Sequence, residues 1–156
     1  MMNGEGPPAL YPVFSALTRL ETELWDALDE RLRQECGVPL GRCEAMLIME
    51  AEGACRVFDI ATALSITVGG ASKLVDRIEA AGYCLRKANP ADRRSSLLEL
   101  TPEGTGVAQK ARTVLNAELA LRFRPALEDE EIETLTNLLT RLRRAGSPLP
   151  AQVVAP

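Results

Sequence analysis

Two clusters of polar and cationic side chains stand outside the apolar stripes of this 156-residue chain: Thr67, Gly69, Gly70, Ser72, Lys73 and Arg77, and then Asp92, Arg93 and Arg94. Hydroxyl, ammonium and guanidinium groups suit charge-assisted hydrogen bonds to anionic oxygens and to planar acceptor edges. They do not suit proton shuttling, because the chain contains no histidine to act near neutral pH. Leu74, Val75, Ile78 and Ala81 give the first cluster an apolar face, so that its polar members fall largely on the other faces of one helix.

The surrounding elements position these groups. In the run from Phe58 to Leu64, the apolar residues Phe58, Ala61 and Leu64 recur at spacings of three, which predicts a short buried helix. Ser65-Ile66 interrupts it, and Thr67 stands where its oxygen can cap a second helix that runs to about Ala81 before Gly82 stops it. Strand-like runs follow at 83–87 and 95–100, on either side of the polar turn Asn89-Pro90-Ala91-Asp92-Arg93-Arg94. Helix, tight turn, helix and hairpin is the order of a winged helix-turn-helix, whose second helix meets the major groove of duplex DNA with its first residues. Consecutive glycines near a helix start cost roughly 1 kcal/mol each relative to alanine. Gly69 and Gly70 either permit close approach of a partner or loosen the turn.

Several motifs in this stretch resemble the MarR family of bacterial transcription regulators. They are Asp59-Ile60-Ala61, the run Ser72-Lys73-Leu74-Val75-Asp76-Arg77-Ile78-Glu79 with Gly82, Asn89-Pro90-Ala91-Asp92-Arg93-Arg94, and Leu100-Thr101-Pro102-Glu103-Gly104. The resemblance implies that Arg94, at the hairpin tip, is a minor-groove residue and that Asp92 is the carboxylate that orients it. It also implies a homodimer on a roughly palindromic operator, interlocked by its terminal helices, and a small amphipathic or phenolic effector. A repressor whose grip is loosened by such a ligand is the function expected. Glycines at 69 and 70 depart from the family's more usual proline and bulkier residue.

The flanking chain agrees in order. Leu10, Phe14, Leu17, Leu20, Leu24, Leu28 and Leu32 recur at three or four and predict one long helix that Cys36-Gly37 breaks, with Pro12 suited to its first turn. Trp25, beside this stripe, is either a core or interface residue or the lining of a pocket for a planar ligand. A second helix is expected over 42–51 with Cys43, Met46, Leu47 and Glu50 along one face, and Cys55-Arg56-Val57 is short enough to be an edge strand on the hairpin. Thr101 and Pro102 open a further helix with Val107, Ala111, Val114 and Leu115 as its stripe, ending before Pro125. In the last helix, acids at 128–131 and arginines at 141, 143 and 144 complement the helix dipole. Its residues Ile132, Leu135, Leu139 and Leu142 form a seam for another helix. The expected organisation is a helical dimerisation region at 10–36 and 102–145, a winged helix-turn-helix lobe at 41–101, and flexible tails at 1–9 and 146–156.

Composition bounds the alternatives. A chain 46% hydrophobic and 26% charged is globular and long enough for one core. No run approaches the roughly 18 apolar residues of a membrane span, and the first dozen residues lack the pattern of a signal peptide, so a cytoplasmic protein is expected. The net charge of −4 hides a segregation: residues 56–98 carry seven basic and four acidic groups, +3, and leave −7 for the rest. No phosphate-binding glycine loop or isolated carboxylate pair is present, so no enzyme is expected, and no cofactor. Cys36, Cys43, Cys55 and Cys84 lack the short paired spacings of a metal site. Some members of the resembled family sense oxidants through a cysteine near the start of the first helix, where this chain has none. Two other readings stay open: a redox-sensing regulator, for which Cys36 and Cys43 are the first candidates, and a winged-helix adaptor that docks proteins rather than DNA.

Overall fold

Capping groups and apolar spacing set the helix limits. The computed structural model describes residues 9–146, so the expected tails lie outside it except for Ala9 and Gly146. The order is α1 (Leu10–Cys36), α2 (Leu40–Glu52), α3 (Val57–Leu64), α4 (Val68–Ala80), β1 (Cys84–Ala88), β2 (Ser96–Leu100), α5 (Pro102–Phe123) and α6 (Asp129–Gly146). β1 and β2 pair antiparallel with Cys84 opposite Leu100 and Ala88 opposite Ser96, and Cys55 adds a single bridge to Leu98 on the other edge of β2. This is a mainly helical winged helix-turn-helix, as the element order predicted.

Described residues fall into two compact units that divide between 116 and 117, inside α5. The first unit holds the core: Leu32 of α1, Met46 and Met49 of α2, Ile60 of α3, Val75 and Ile78 of α4 and Leu98 of β2 are all fully buried. Burying a side chain of this kind stabilises by roughly 1.5–3 kcal/mol. Polar ties fix the frame around it. Asp29 Oδ1 accepts the backbone N–H of Leu40 at 2.8 Å, which closes the α1–α2 turn where Gly37 takes a φ of +67°. Arg112 pairs with Glu50 at 2.6 Å, and the Lys110 ammonium donates to the Glu35 carbonyl at the end of α1. In the second unit, Arg124 pairs with Asp129 at 3.2 Å, and the Glu131 side chain accepts the Glu128 N–H at 2.9 Å at the start of α6.

Several expected core faces are rotated in the structure. Phe58 is 59% exposed, and Ile60 and Ala61 are the buried residues of α3. A helix of eight residues offers several apolar triplets, and contact with α2 and α4 selected another one. On α4, Ala71 joins Val75 and Ile78 inside, Leu74 is half-buried, and Ala81 is an exposed C-cap. α2 starts two residues earlier than expected and buries Leu40, Cys43, Ala45, Met46 and Met49, while Glu50 turns toward Arg112. α5 buries Gly104, Ala108, Ala111 and Val114, which leaves Val107 and Leu115 half-buried.

Candidate nucleic-acid interface

The turn between α3 and α4 sets the direction of α4. Ser65 takes the left-handed conformation at φ +55°, the Ile66 N–H returns to the Ala61 carbonyl at 3.0 Å, and the chain bends by 113° between α3 and α4. That angle lies in the range of a helix-turn-helix. Thr67 then caps α4, its Oγ1 accepting the Gly70 N–H at 3.0 Å.

Burial of Ala71, Val75 and Ile78 fixes the rotation of α4, and with it the outward face. Thr67, Gly69, Gly70, Lys73 and Arg77 are exposed and Ser72 is half-buried. Gly69, Lys73 and Arg77 follow one another at intervals of four, so they form a single row along the helix. A Cβ at Gly69 would meet nothing within 4 Å, whereas one at Gly70 would come within 3.2 Å of the Thr67 cap oxygen. The two glycines are therefore not equivalent: Gly70 makes room for the cap, and Gly69 leaves open space on the outside.

Asp76 lies on the same outward side but is already engaged. Arg86 of β1 donates to Asp76 at 2.7 Å and also binds Glu79, so one guanidinium ties α4 to the wing strand. Among the described residues, Lys73, Arg77, Arg93 and Arg94 make no ion pair, and their charge is directed to solvent. This neutralising role of Arg86 was missed in the sequence. An arginine facing two acids across a glycine turn was the available signal, at intervals of seven and ten residues.

The wing turn is built from side chain to backbone bonds. Asn89 Oδ1 accepts the Ala91 N–H at 3.0 Å, and its amide donates to Ser95 Oγ at 2.9 Å. Asp92 Oδ1 accepts the Arg94 N–H at 2.9 Å. That bond holds the backbone at Arg94, and Arg93 and Arg94 at the tip are both exposed. At the start of α3, Arg56 grips Asp59 at 3.0 Å while its Cζ lies 6.0 Å from the centroid of the Phe58 ring. The Arg56 guanidinium holds the Asp59 carboxyl below the usual carboxylate range.

The hairpin is closed at its base. The Thr101 N–H donates to the Tyr83 carbonyl at 3.0 Å, and the Thr101 hydroxyl donates to the Gly82 carbonyl at 2.7 Å while accepting the Gly104 N–H at 3.0 Å. Gly104 is required there, since a Cβ would lie 1.9 Å from the Tyr83 oxygen.

The cysteines do not form a reactive pair of exposed thiols. Burial pushes Cys43 up to about 12 and Cys55 and Cys84 up to about 11, and it raises the half-buried Cys36 as well. Trp25 lies in an open groove of α1 with Glu21, Thr22 and Asp26, which is not an enclosed pocket for a planar ligand. Among the described residues, no single helix is long and apolar enough to cross a membrane.

Comparison with known proteins adds to this geometry. Residues 40–96 match the model of the MarR family. The chain is similar to the multiple antibiotic resistance protein MarR of Salmonella typhimurium, 29% identical over 79 residues that cover 51% of this chain and 55% of that protein. The match thus spans little more than half the length of that relative. Its fold is similar to Sco3205, a MarR family transcriptional regulator from Streptomyces coelicolor solved in complex with DNA. The TM-score is 0.80 and the identity 24%, over 97% of this chain and 98% of the other. It is also similar to BpsR of Bordetella bronchiseptica, whose DNA binding is regulated by 6-hydroxynicotinic acid. There the TM-score is 0.77 and the identity 20%, over 88% and 98% of the two chains.

Proposed function

We propose, from the match of residues 40–96 to the MarR family model, that the chain is a MarR-type, sequence-specific regulator of transcription that binds duplex DNA as a homodimer. One observation carries the reading. The face of α4 left outside by its buried residues presents Ser72, Lys73 and Arg77, with the two free guanidinium groups of Arg93 and Arg94 on the neighbouring wing. α4 supplies base discrimination and phosphate anchoring, and Arg94 enters a minor groove, where negative potential attracts arginine.

Exposed apolar surface supports the dimer. Leu10, Tyr11, Val13, Phe14, Leu17 and Leu20 are exposed along the first half of α1. No residue of α6 is buried, although Leu135, Leu138, Leu139 and Leu142 recur along it. Covering such faces with a second copy under two-fold symmetry presents two reading helices to half-sites about one turn, ~10 bp, apart. Release by a small amphipathic or phenolic ligand is the regulatory input we propose, by analogy with BpsR. We assign no catalytic step to the chain. Burial of Cys43, Cys55 and Cys84 speaks against a thiol-based signal.

Selection of bound sequences from a random duplex pool, followed by binding measurements across a salt series, tests the function. A steep fall of log affinity with log salt, and a selected half-site repeated in inverted orientation, are expected. Salt-independent binding with no selected sequence would favour the protein adaptor.

A further inference from the structure

The first turn of α4 has a composition that neither core packing nor helix stability explains. Val68 is 52% exposed and Ile66 before it 42%, so neither is a core residue. Gly69 and Gly70 follow, which are poor helix formers, and β-branched valine is a weak one. Gly69 has open space where a side chain would stand. The one polar side chain in this turn, Thr67, already has its oxygen accepting the Gly70 N–H. At this edge the chain offers methyl groups and bare backbone, with no arginine, asparagine or glutamine to make a bidentate bond to a purine.

The major groove presents one apolar feature, the C5-methyl of thymine. A valine in a helix holds nearly one χ1 rotamer, so its methyl groups are already placed and little side-chain entropy is lost on contact. The missing side chain at Gly69 lets the helix end approach the base edges without a spacer. We infer that Val68 is a specificity-determining residue that reads the methyl group of a thymine in each half-site, with Gly69 giving it the approach. The inference rests on the DNA-binding reading above and adds the base that this helix start prefers. Lys73 and Arg77, one and two turns further on, keep the anchoring role.

Deoxyuridine tests this directly, because it removes the thymine methyl and leaves every hydrogen-bonding group in place. The full-length protein is titrated with its selected duplex and with duplexes in which each thymine of the half-sites is replaced in turn by deoxyuridine. One position per half-site should weaken binding about fourfold, the value of one buried methyl-sized group, and other positions should not. Val68→Ala should bind the thymine duplex about fourfold or more weakly and lose the difference between thymine and uracil at that position. Its affinity for scrambled duplex should be unchanged, which also reports an intact fold. The inference is overturned if no thymine replacement affects the wild-type protein, or if Val68→Ala keeps the full preference for thymine. A wild-type protein that selects no sequence at all would remove the DNA-binding reading itself, and this inference with it.

Discussion

Single side chains divide the work of the proposed interface in a way that binding measurements can separate. Arg94 leaves an exposed guanidinium on a turn whose backbone Asp92 holds, so its loss removes a charge without disturbing the hairpin. Arg94→Ala is expected to weaken binding to specific and scrambled duplexes alike and to make the log–log salt slope shallower by about one unit. Ser72, half-buried on the reading helix, is expected to act differently. Ser72→Ala should narrow the gap between specific and scrambled DNA by roughly 1–3 kcal/mol if its hydroxyl bonds a base. The thiols give a third expectation. Cys43, Cys55 and Cys84 are raised from the ordinary 9.0 to about 12, 11 and 11, so the folded state keeps protons that the unfolded chain loses above pH 9. Their contribution to stability is therefore complete below pH 9 and is lost as pH rises toward 12. A urea midpoint that falls over that interval, and alkylation at pH 8 confined to Cys36 until the protein unfolds, would bear this out; rapid modification of Cys43 in the native protein would contradict it. The polar side of α4 was legible in the sequence, because charged residues near a capping threonine have few other places to go. The exposure of Phe58 and Val68 was not. Hydrophobicity alone marks a residue as suited to a core and says nothing about whether a neighbour arrives to cover it.

Elements were legible where a local signal ends them. Gly37, Ser65-Ile66, Gly82 and Thr101-Pro102 each mark a boundary that the structure respects within two residues. Faces were less legible, since the rotation of α3 and the bury-side of α2 depend on partners far along the chain. In the sequence Gly104 is only one residue of a motif, yet the contact it permits with Tyr83 joins the start of α5 to the base of the hairpin. This contact gives a paired prediction. Gly104→Ala forces a methyl against the Tyr83 carbonyl and should destabilise by about 1–3 kcal/mol, the usual cost of overpacking. Gly106→Ala, two residues on in the same helix with nothing within 4 Å of its Cβ, should stabilise by about 0.5–1 kcal/mol through helix propensity. Urea denaturation of both variants decides the matter, and equal effects of one sign would mean that the close approach at Gly104 does not constrain the helix.

At the scale of the whole molecule, the described chain leaves Leu10, Phe14, Leu138 and Leu142 among its exposed apolar residues, and the proposed dimer would cover them. Sedimentation at micromolar concentration is expected to return the mass of a dimer. Leu138→Glu combined with Leu142→Glu, both at exposed positions of α6, should yield a monomer that keeps its helical content and loses most of its affinity for a two-half-site duplex. A double variant that remains dimeric would exclude α6 from the interface. The apolar spacing of α6 was legible in the sequence, whereas the division of the chain inside α5 carried no sequence signal, because a continuous helix looks the same on both sides of it. The closure of the hairpin at Thr101 has a further consequence for how such a protein can be recombined. The bonds from Thr101 to Gly82 and Tyr83 carry the pairing of the two strands past their ends, and Cys84 and Leu98 anchor the inner side in the core. The turn between them is thereby a cartridge on a fixed socket. Exchanging residues 89–95 for the corresponding turn of a relative, with the socket intact, is expected to change the tip of the hairpin and leave the stability and the outward face of α4 unaltered.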